Sequence, residues 1–257
     1  SIKFQGGLKG LVNMDQSSLK FILDDSQFYF TDTLWTIKDS SYFNYFNGEI
    51  NSQLFISTTS QDVSFSCISN NIIDTINLVL NHFEMANISP WLSKVNSSLK
   101  GSVNGDVIIV SDSLNNKFYS EIITSNLELN DANFGALNLS FNYDDTQDIQ
   151  LIQGLSLKDD KKALEFSGNY NSLVDSNNMQ IFIDINDFNI NHINTYLPFL
   201  DPLKGMFTGY LNLYGNINEP KFEGEFVAEE VYLTVPYLNV DFKTIGESNV
   251  HFSQDLI

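Results

Sequence analysis

The sequence has little of what would indicate several common functional classes. Its 257 residues include one cysteine, Cys67, which excludes an intramolecular disulfide framework. Thirteen basic residues stand against 32 acidic ones, so the formal net charge is −19, and such a surface repels nucleic acids and anionic membranes. There is no run of 18 apolar residues and no signal-peptide pattern. We therefore expect neither a nucleic-acid partner nor a membrane-spanning helix within this chain.

Catalytic and metal-binding motifs are also missing. The three histidines, His82, His192 and His251, lie far apart and share no ligand spacing. The sequence has no phosphate-binding glycine–lysine loop, nucleophile elbow, zinc-helix motif or calcium-binding loop. We predict that the protein is not an enzyme, that it has no catalytic residues, and that it uses no metal or other cofactor.

Alternating apolar and polar residues dominate what is present. Residues 18–23, 53–56 and 180–185 are examples. Phenylalanine, tyrosine, isoleucine and valine are frequent in these runs, and asparagine, aspartate, serine and glycine separate them, which is typical of strands joined by short turns. Hydrophobic residues make up 42% of the chain, so it is not expected to be disordered. The sequence therefore predicts an all-β fold.

One pattern occurs twice, about 104 residues apart. Leu99-Lys100-Gly101 and the alternation that follows recur as Leu203-Lys204-Gly205 and a second alternation. Self-similarity at a fixed spacing is typical of repeat architectures, in which each unit packs on the next. We predict one continuous β domain over residues 1–257, with partial preceding strands at 1–71, a first unit at 72–175 and a second unit at 176–257. Because the chain begins in the middle of a strand pattern, we expect it to be part of a longer protein.

Each unit also contains one interruption of the strand pattern. Ser89 and Pro90 suit the N-cap and the first position of a helix, and apolar residues follow at helical spacing. The corresponding place in the second unit is followed by Pro198, which ends a helix. We predict two short helices, near residues 89–96 and 190–197.

Glycines recur along the strand that follows each predicted helix. From Gly205 to Gly215 the odd positions are glycine or apolar, and the even positions carry Met, Thr, Tyr and Asn. Because successive side chains of a strand point to opposite faces, the odd set forms one apolar stripe. Repeated glycine within a strand marks a bend or the close approach of another backbone. We therefore expect an elongated, curled sheet, a trough with one apolar face.

The second copy of the pattern resembles a known family. The string Leu203-Lys204-Gly205-x-Phe207-x-Gly209-x-Leu211-x-Leu213-x-Gly215-x-x-x-x-Pro220-x-Phe222-x-Gly224 is similar to the repeat of the TamB family, the inner-membrane-anchored component of the translocation and assembly module. The resemblance extends over residues 72–257. The first copy departs from it at Ser111, Asn116 and Ser120. The Asn- and Phe-rich composition resembles that of a Bacteroidota-type homologue.

This resemblance implies a fold, a location and a set of partners. It implies a β-taco, a long sheet folded over into a trough with a hydrophobic groove, in a periplasmic protein tethered to the inner membrane by an N-terminal helix outside this segment. It implies a role in outer-membrane biogenesis, through lipid transport between the two membranes or assembly and secretion of outer-membrane proteins. The implied partners are phospholipid acyl chains, an outer-membrane assembly-factor barrel of the BamA or TamA type, and nascent outer-membrane proteins.

The apolar positions of both units are expected to line such a groove. In the first unit these are Val103, Val107, Ile109, Phe118, Ile122, Leu127 and Leu129. In the second unit they are Phe207, Leu211, Leu213, Phe222, Phe226, Val231 and Leu233. A continuous apolar lining suits acyl chains in an aqueous gap, because each methylene left in water costs about 0.8 kcal/mol.

Three other interpretations of the same pattern stay open. An apolar sheet face commonly meets an opposing sheet in a closed, dry core. The free edges of a trough can instead pair with a strand of an unfolded outer-membrane protein. An extracellular β-sandwich binding or adhesin module is an alternative from a different functional class. A glutamate at Leu211 or Phe226 separates an open interior from a sealed core, since only a sealed core leaves the carboxylate buried and unpaired.

Overall fold

The computed structural model describes residues 4–30, 32–70, 72–89, 98–113, 115–129, 132–145, 149–158, 161–171, 174, 178–191 and 202–253. Within these residues nineteen strand segments belong to one sheet. Their bounds are β1 Phe4–Gly7, β2 Gly10–Met14, β3 Ser18–Leu23, β4 Ser26–Phe30, β5 Thr33–Ile37, β6 Tyr42–Phe46, β7 Glu49–Ser57, β8 Asp62–Ser69, β9 Ile73–Glu84, β10 Leu99–Asp112, β11 Asn116–Leu129, β12 Ala132–Asp144, β13 Ile149–Lys158, β14 Lys161–Asn171, β15 Met179–Asn189, β16 Leu203–Asn216, β17 Glu219–Val235, β18 Val240–Lys243 and β19 Ser248–Ser253.

The strands form an open antiparallel meander. From β7 to β17 each strand pairs with the strand before it and the strand after it. Before β7, each position in the sheet is occupied by two short strands that lie end to end. In one half, β1 pairs with β4, β4 with β5, and β5 with β7. In the other half, β2 pairs with β3, β3 with β6, and β6 with β7. After β17 the sheet continues in β18 and β19. The predicted all-β fold, as one long antiparallel sheet, is confirmed.

The two predicted short helices are not confirmed. Residues 90–97 and 192–201, which make up most of both predicted segments, lie outside the described part of the chain. Just before the first of them, Met85–Asn87 forms a single 3-10 turn. A second 3-10 turn, Pro236–Leu238, begins at a proline whose ring fixes a helical φ.

Alternation along the strands sorts the side chains onto two faces. Cross-strand partners share a face, and Ile109 pairs with Ile76 in β9 and with Phe118 in β11. Following these pairs from β7 to β17 defines one face, here called the inner face. Its apolar members include Leu54, Ile56, Val63, Phe65, Ile76, Leu78, Leu80, Val107, Ile109, Phe118, Ile122, Leu139, Phe141, Ile152, Leu164, Phe166, Ile181, Ile183, Ile185, Leu211, Leu213, Phe222 and Phe226.

The opposite, outer face carries charge. Lys117 and Asp144, partners on β11 and β12, form an ion pair of 2.9 Å. The hydrogen bond to Asp144, together with its negative charge, raises the pKa of Lys117. Lys162 contacts both Asp184 and Glu165 in the same manner. The alternation of the sequence thus places the apolar stripe on one face, and the ion pairs on the other together with exposed apolar side chains such as Ile123, Leu151 and Phe182.

A line of β-bulges crosses the sheet from β9 to β17. Pairing shifts register in β10 near Gly101 and again before Gly105, in β11 after Ile123, in β13 after Ser156 and in β16 near Gly205. A bulge bends its strand and increases the local twist. We call this line the crease, because successive strands bend there. The splits between β1 and β2, β3 and β4, and β5 and β6 interrupt the first strands in a similar way.

Residues with positive φ on the crease follow the spacing of the sequence repeat. His82 and Asp187, 105 residues apart, have φ of 50° and 48°. Asn126 and Glu230, 104 residues apart, have φ of 52° and 49°. The left-handed region is uncommon for residues other than glycine, so four such residues at repeat spacing mark the same bend in both predicted units.

Short polar side chains replace hydrogen bonds that the bulges remove. In five places a backbone N–H donates to a side-chain oxygen. The donor and acceptor pairs are His82 with Asn104 Oδ1 (2.9 Å), Asp187 with Thr208 Oγ1 (3.0 Å), Leu137 with Thr124 Oγ1 (3.0 Å), Glu84 with Gln61 Oε1 (2.9 Å) and Val231 with Thr244 Oγ1 (2.9 Å). Thr124 and Gln61 are buried. Because an unpaired buried N–H is costly, these side chains stabilise the bent backbone.

Replacing Thr124 with valine should destabilise the fold without changing side-chain shape. The valine keeps the volume but cannot accept the hydrogen bond from the Leu137 N–H. We expect a loss of about 1–3 kcal/mol in the free energy of unfolding, the usual effect of leaving a buried donor unpaired. Thr124→Ser, which keeps the hydroxyl, is the control for urea denaturation; equal stability of the two variants would contradict this role.

The described core is small and lies next to the crease. Its buried hydrophobic side chains are Trp35, Ile37, Val103, Ile190, Leu203, Phe226, Ala228 and Val231. The rings of Trp35 on β5 and Phe83 on β9 are 6.3 Å apart, although β7 and β8 lie between these strands in the sheet. The sheet therefore folds toward its inner face near the β7–β8 turn. The rings of Trp35 and Phe83 fill the inside of this bend.

Candidate functional site: the inner face of the sheet

The structure places the predicted groove residues on the inner face. Val107, Ile109, Phe118 and Ile122 are linked by the pairing of β10 with β11, and Leu211, Leu213 and Phe222 by that of β16 with β17. Val103 and Phe226 share the face with them by alternation along their strands. Phe207, Val231 and Leu233 pack together around Leu203 and Ala228 at the crease. Leu127 and Leu129 flank Glu128, whose ion pair with Lys100 lies on the outer face.

These residues divide into two groups by burial. Val103, Phe226 and Val231 are only 3%, 7% and 6% exposed and belong to the core at the crease. The other eleven are half-buried, including Val107, Leu211 and Leu213. A closed sandwich would bury an apolar sheet face against a second sheet. The burial pattern instead describes a sealed crease beside an accessible apolar surface.

The total surface of the chain supports the same conclusion. A compact monomer of 29.1 kDa exposes about 11,400 Å². This chain exposes 16337 Å². An excess of this size is typical of a single-layer sheet whose two faces both contact solvent. As a result, the inner face is a surface that a ligand can reach.

Aromatic rings shape this surface. Phe118 and Phe141 make an edge-to-face contact with ring centroids 5.2 Å apart, and Phe207 and Phe226 stack at 5.7 Å. Such pairs add about 0.5–1.5 kcal/mol beyond their area burial. Each pair joins aromatic rings on neighbouring strands, β11 with β12 and β16 with β17.

Inner-face glycines bring backbone or ring atoms close to the sheet. A β-carbon at Gly154 would lie 2.2 Å from the ring of Phe166, which therefore covers this glycine. A β-carbon at Gly105 or Gly209 would lie 2.2 Å or 2.0 Å from a carbonyl oxygen of the next strand. The stripe of glycines in the sequence thus marks close approaches at the crease and beneath an aromatic ring.

Sequence reasoning named only part of the inner face. The predicted set omits the apolar residues of β7–β9 and β12–β15, such as Phe65, Leu78, Phe141, Phe166 and Ile183. Their register joins the predicted positions of β10 and β11 to those of β16 and β17 without a break. The signal was available, because these strands show the same alternation. No comparable sequence pattern marks the polar residues of the crease, such as Thr124 and Gln61.

The inner face offers surface rather than reactive groups. The described residues contain no cluster of three or more His, Cys, Asp or Glu side chains placed to bind a metal ion. Cys67 is a free, half-buried thiol on the inner face. Nor does any helix in the described part of the chain have the length and apolar character needed to cross a bilayer. The interaction that this face can offer a ligand is the burial of apolar surface.

Comparison with known proteins identifies the family. Residues 67–228, more than half of the chain, match the family model described as TamB, N-terminal domain. The matched segment covers β9 to β16 completely, and with them most of the inner face and the crease. The chain therefore belongs to the TamB family. Comparison with curated proteins and with solved structures gives no match.

Proposed function

We propose that the inner face is a hydrophobic groove that carries phospholipid acyl chains between the inner and outer membranes. The observation that supports this most is a continuous apolar face whose side chains are half-buried beside a sealed crease. TamB-family membership implies a periplasmic location, in the aqueous space that such lipids must cross. There, acyl chains lying on the face avoid a cost of about 0.8 kcal/mol per methylene.

The dimensions of the sheet suit a conduit. The strands β7–β17 occupy eleven positions across the sheet. The split strands β1/β2, β3/β4 and β5/β6 add three positions before them, and β18/β19 add one after them, which gives fifteen. Neighbouring strands lie about 4.8 Å apart, so the sheet extends roughly 65 Å in this direction and its inner face over β7–β17 roughly 48 Å. The crease follows the same direction, and a ligand moving along it would meet apolar side chains from every strand. Polar side chains such as Tyr143, Gln150 and Tyr170 also lie on this face, and none of these three is a charged group.

The groove is tested by measuring lipid that accompanies the purified protein. We expect phospholipid to co-purify with the protein from bacterial cells, detected by mass spectrometry. Leu211→Glu, which places a carboxylate on the half-buried inner face, should reduce this lipid several-fold. Asn212→Glu places the same charge on the outer face and is the matched control. Lipid-free wild-type protein, or equal loss in both variants, would contradict the proposed groove.

A further inference from the structure

Three side chains form a cationic row on the outer face near the end of the sheet. Lys204 on β16 pairs with Tyr232 on β17, and Tyr232 pairs with Lys243 on β18. They lie opposite the inner-face row of Leu203 and Leu233. Because strands lie about 4.8 Å apart, the two lysine backbones are about 10 Å apart with the tyrosine between them. Both lysine side chains are exposed and long enough to reach one ligand above the ring.

An open cavity lies at this row. Its volume is about 500 Å³, and it is lined by Lys204, Tyr232, Lys243, Asn189, Asn191, Gly205, Met206 and Glu230. The donors available are two ammonium groups, a phenolic hydroxyl and two side-chain amides. Glu230 supplies the one carboxylate of the lining, so the lining carries a net charge of +1, and Glu229 and Asp241 lie at neighbouring positions of β17 and β18.

Lys204 and Lys243 are among the described lysines that form no ion pair, as are Lys9, Lys20, Lys38 and Lys221. Lys100, Lys117 and Lys162 each form an ion pair with a carboxylate. Neither Lys204 nor Lys243 forms one with any residue that the structure describes. Two unpaired cations on one row repel each other weakly, and an anion between them would relieve that repulsion.

The first copy of the sequence repeat provides an internal comparison. At the place of Lys204, 104 residues earlier, Lys100 forms a 3.0 Å ion pair with Glu128, which stands where Tyr232 does. The partner of Glu128 on the next strand is Asn133, at the place of Lys243. The backbone bulge beside the row is the same in both copies. A lysine thus stands at the first position in both copies, and the comparison shows that the fold does not require the second lysine, Lys243.

We infer that Lys204, Tyr232 and Lys243 bind a phosphate group. Two ammonium groups can neutralise a phosphate and donate charge-assisted hydrogen bonds to its oxygens, and the tyrosine hydroxyl and neighbouring amides can satisfy the rest. The site lies on the outer face and does not depend on the inner face carrying lipid. The phosphate can belong to a free anion or to the headgroup of a phospholipid at a membrane surface.

The test uses both sources of phosphate with the same variants. Binding of inorganic phosphate is measured by calorimetry, and binding to vesicles of equal parts phosphatidylglycerol and phosphatidylcholine by co-sedimentation. The double variant Lys204→Gln/Lys243→Gln should weaken binding at least about tenfold, as expected for loss of charge-assisted hydrogen bonds. Lys100→Gln is the matched control, since it removes one charge at the equivalent place in the first copy and should bind as the wild type does.

Each outcome decides the inference. Weaker binding by the double variant, and not by Lys100→Gln, supports the site. If it is seen with inorganic phosphate, the ligand is a free anion. If it is seen only with vesicles, the ligand is a lipid headgroup. Absence of wild-type binding in both arms overturns the site. So does equal weakening by Lys100→Gln, because that result reflects net charge only. Thermal melts check folding, which exposed lysine substitutions should leave within about 0.5 kcal/mol.

Discussion

Replacing Phe226 with glutamate should unfold the protein, whereas the same change at Leu211 should leave it folded. Phe226 is 7% exposed and stacks on Phe207 at the crease. Its loss, together with an unpaired buried carboxylate, should reduce the free energy of unfolding by about 4 kcal/mol or more. Leu211 is half-buried on the same face of β16. A carboxylate there can stay hydrated, so we expect a loss of about 1–2 kcal/mol.

Urea denaturation of both variants separates an open inner face from a sealed core. A sealed core would make the two substitutions similarly severe. Phe226→Leu serves as the control for loss of the ring without introduction of charge, and should lie between the wild type and Phe226→Glu. If Leu211→Glu unfolds the protein as completely as Phe226→Glu does, the inner face is closed and the proposed groove is wrong.

Replacing Gly209 with alanine should destabilise the crease strongly for a backbone reason. Its φ is +157°, and a β-carbon would lie 2.0 Å from the carbonyl oxygen of Glu225 and 2.8 Å from the Cα of Phe226. Neither backbone atom can move without opening the pairing of β16 with β17. We expect a loss of at least about 3 kcal/mol in the free energy of unfolding, within the range of substitutions that force a strained backbone.

Two other glycines separate steric overlap from conformational strain. Gly48 has a φ of +91° but open space around its α-carbon, so Gly48→Ala should cost about 1–2 kcal/mol. Gly7 has neither a positive φ nor a close neighbour, and Gly7→Ala should change stability by less than about 0.5 kcal/mol. Equal effects of all three substitutions would show that the close approach at Gly209 has no energetic importance.

Sequence reasoning succeeded where side-chain alternation determines structure. Alternation predicted the all-β fold and the sorting of residues such as Leu211 and Asn212 onto opposite faces. The repeated glycines predicted bends, and Gly105 and Gly209 lie at the crease in the same close approach to the next strand. These features depend on local chemistry, namely the two-residue period of a strand and the absence of a β-carbon.

The rest depended on contacts between distant parts of the chain. His82 and Glu230 adopt a positive φ, and of these two residue types only histidine is enriched in that region. Their conformation follows from register shifts against neighbouring strands, which one strand alone does not reveal. Likewise, Thr124 and Gln61 are ordinary polar residues until folding places them against unpaired N–H groups. The bounds of the two predicted units and the lining role of the inner-face residues stay predictions.

The crease connects the fold to the proposed groove. Bulges bend each strand, polar side chains satisfy the bent backbone, and buried residues such as Val103 and Val231 fill the angle. The hydrogen bonds and buried side chains that stabilise the bent sheet therefore lie along one line, the crease. Farther along the strands the apolar side chains of this face are half-buried, and they form the surface of the proposed groove. A sheet built this way can stay folded while most of its apolar face remains accessible.

The most direct test places a photocrosslinking amino acid at Leu211 or at Asn212 of the protein in living bacterial cells. These adjacent residues of β16 are matched in position along the sheet and point to opposite faces. After irradiation, the groove predicts phospholipid adducts at position 211 and few or none at position 212. Equal labelling at both positions, or no lipid adduct at position 211, would contradict an open apolar groove on the inner face.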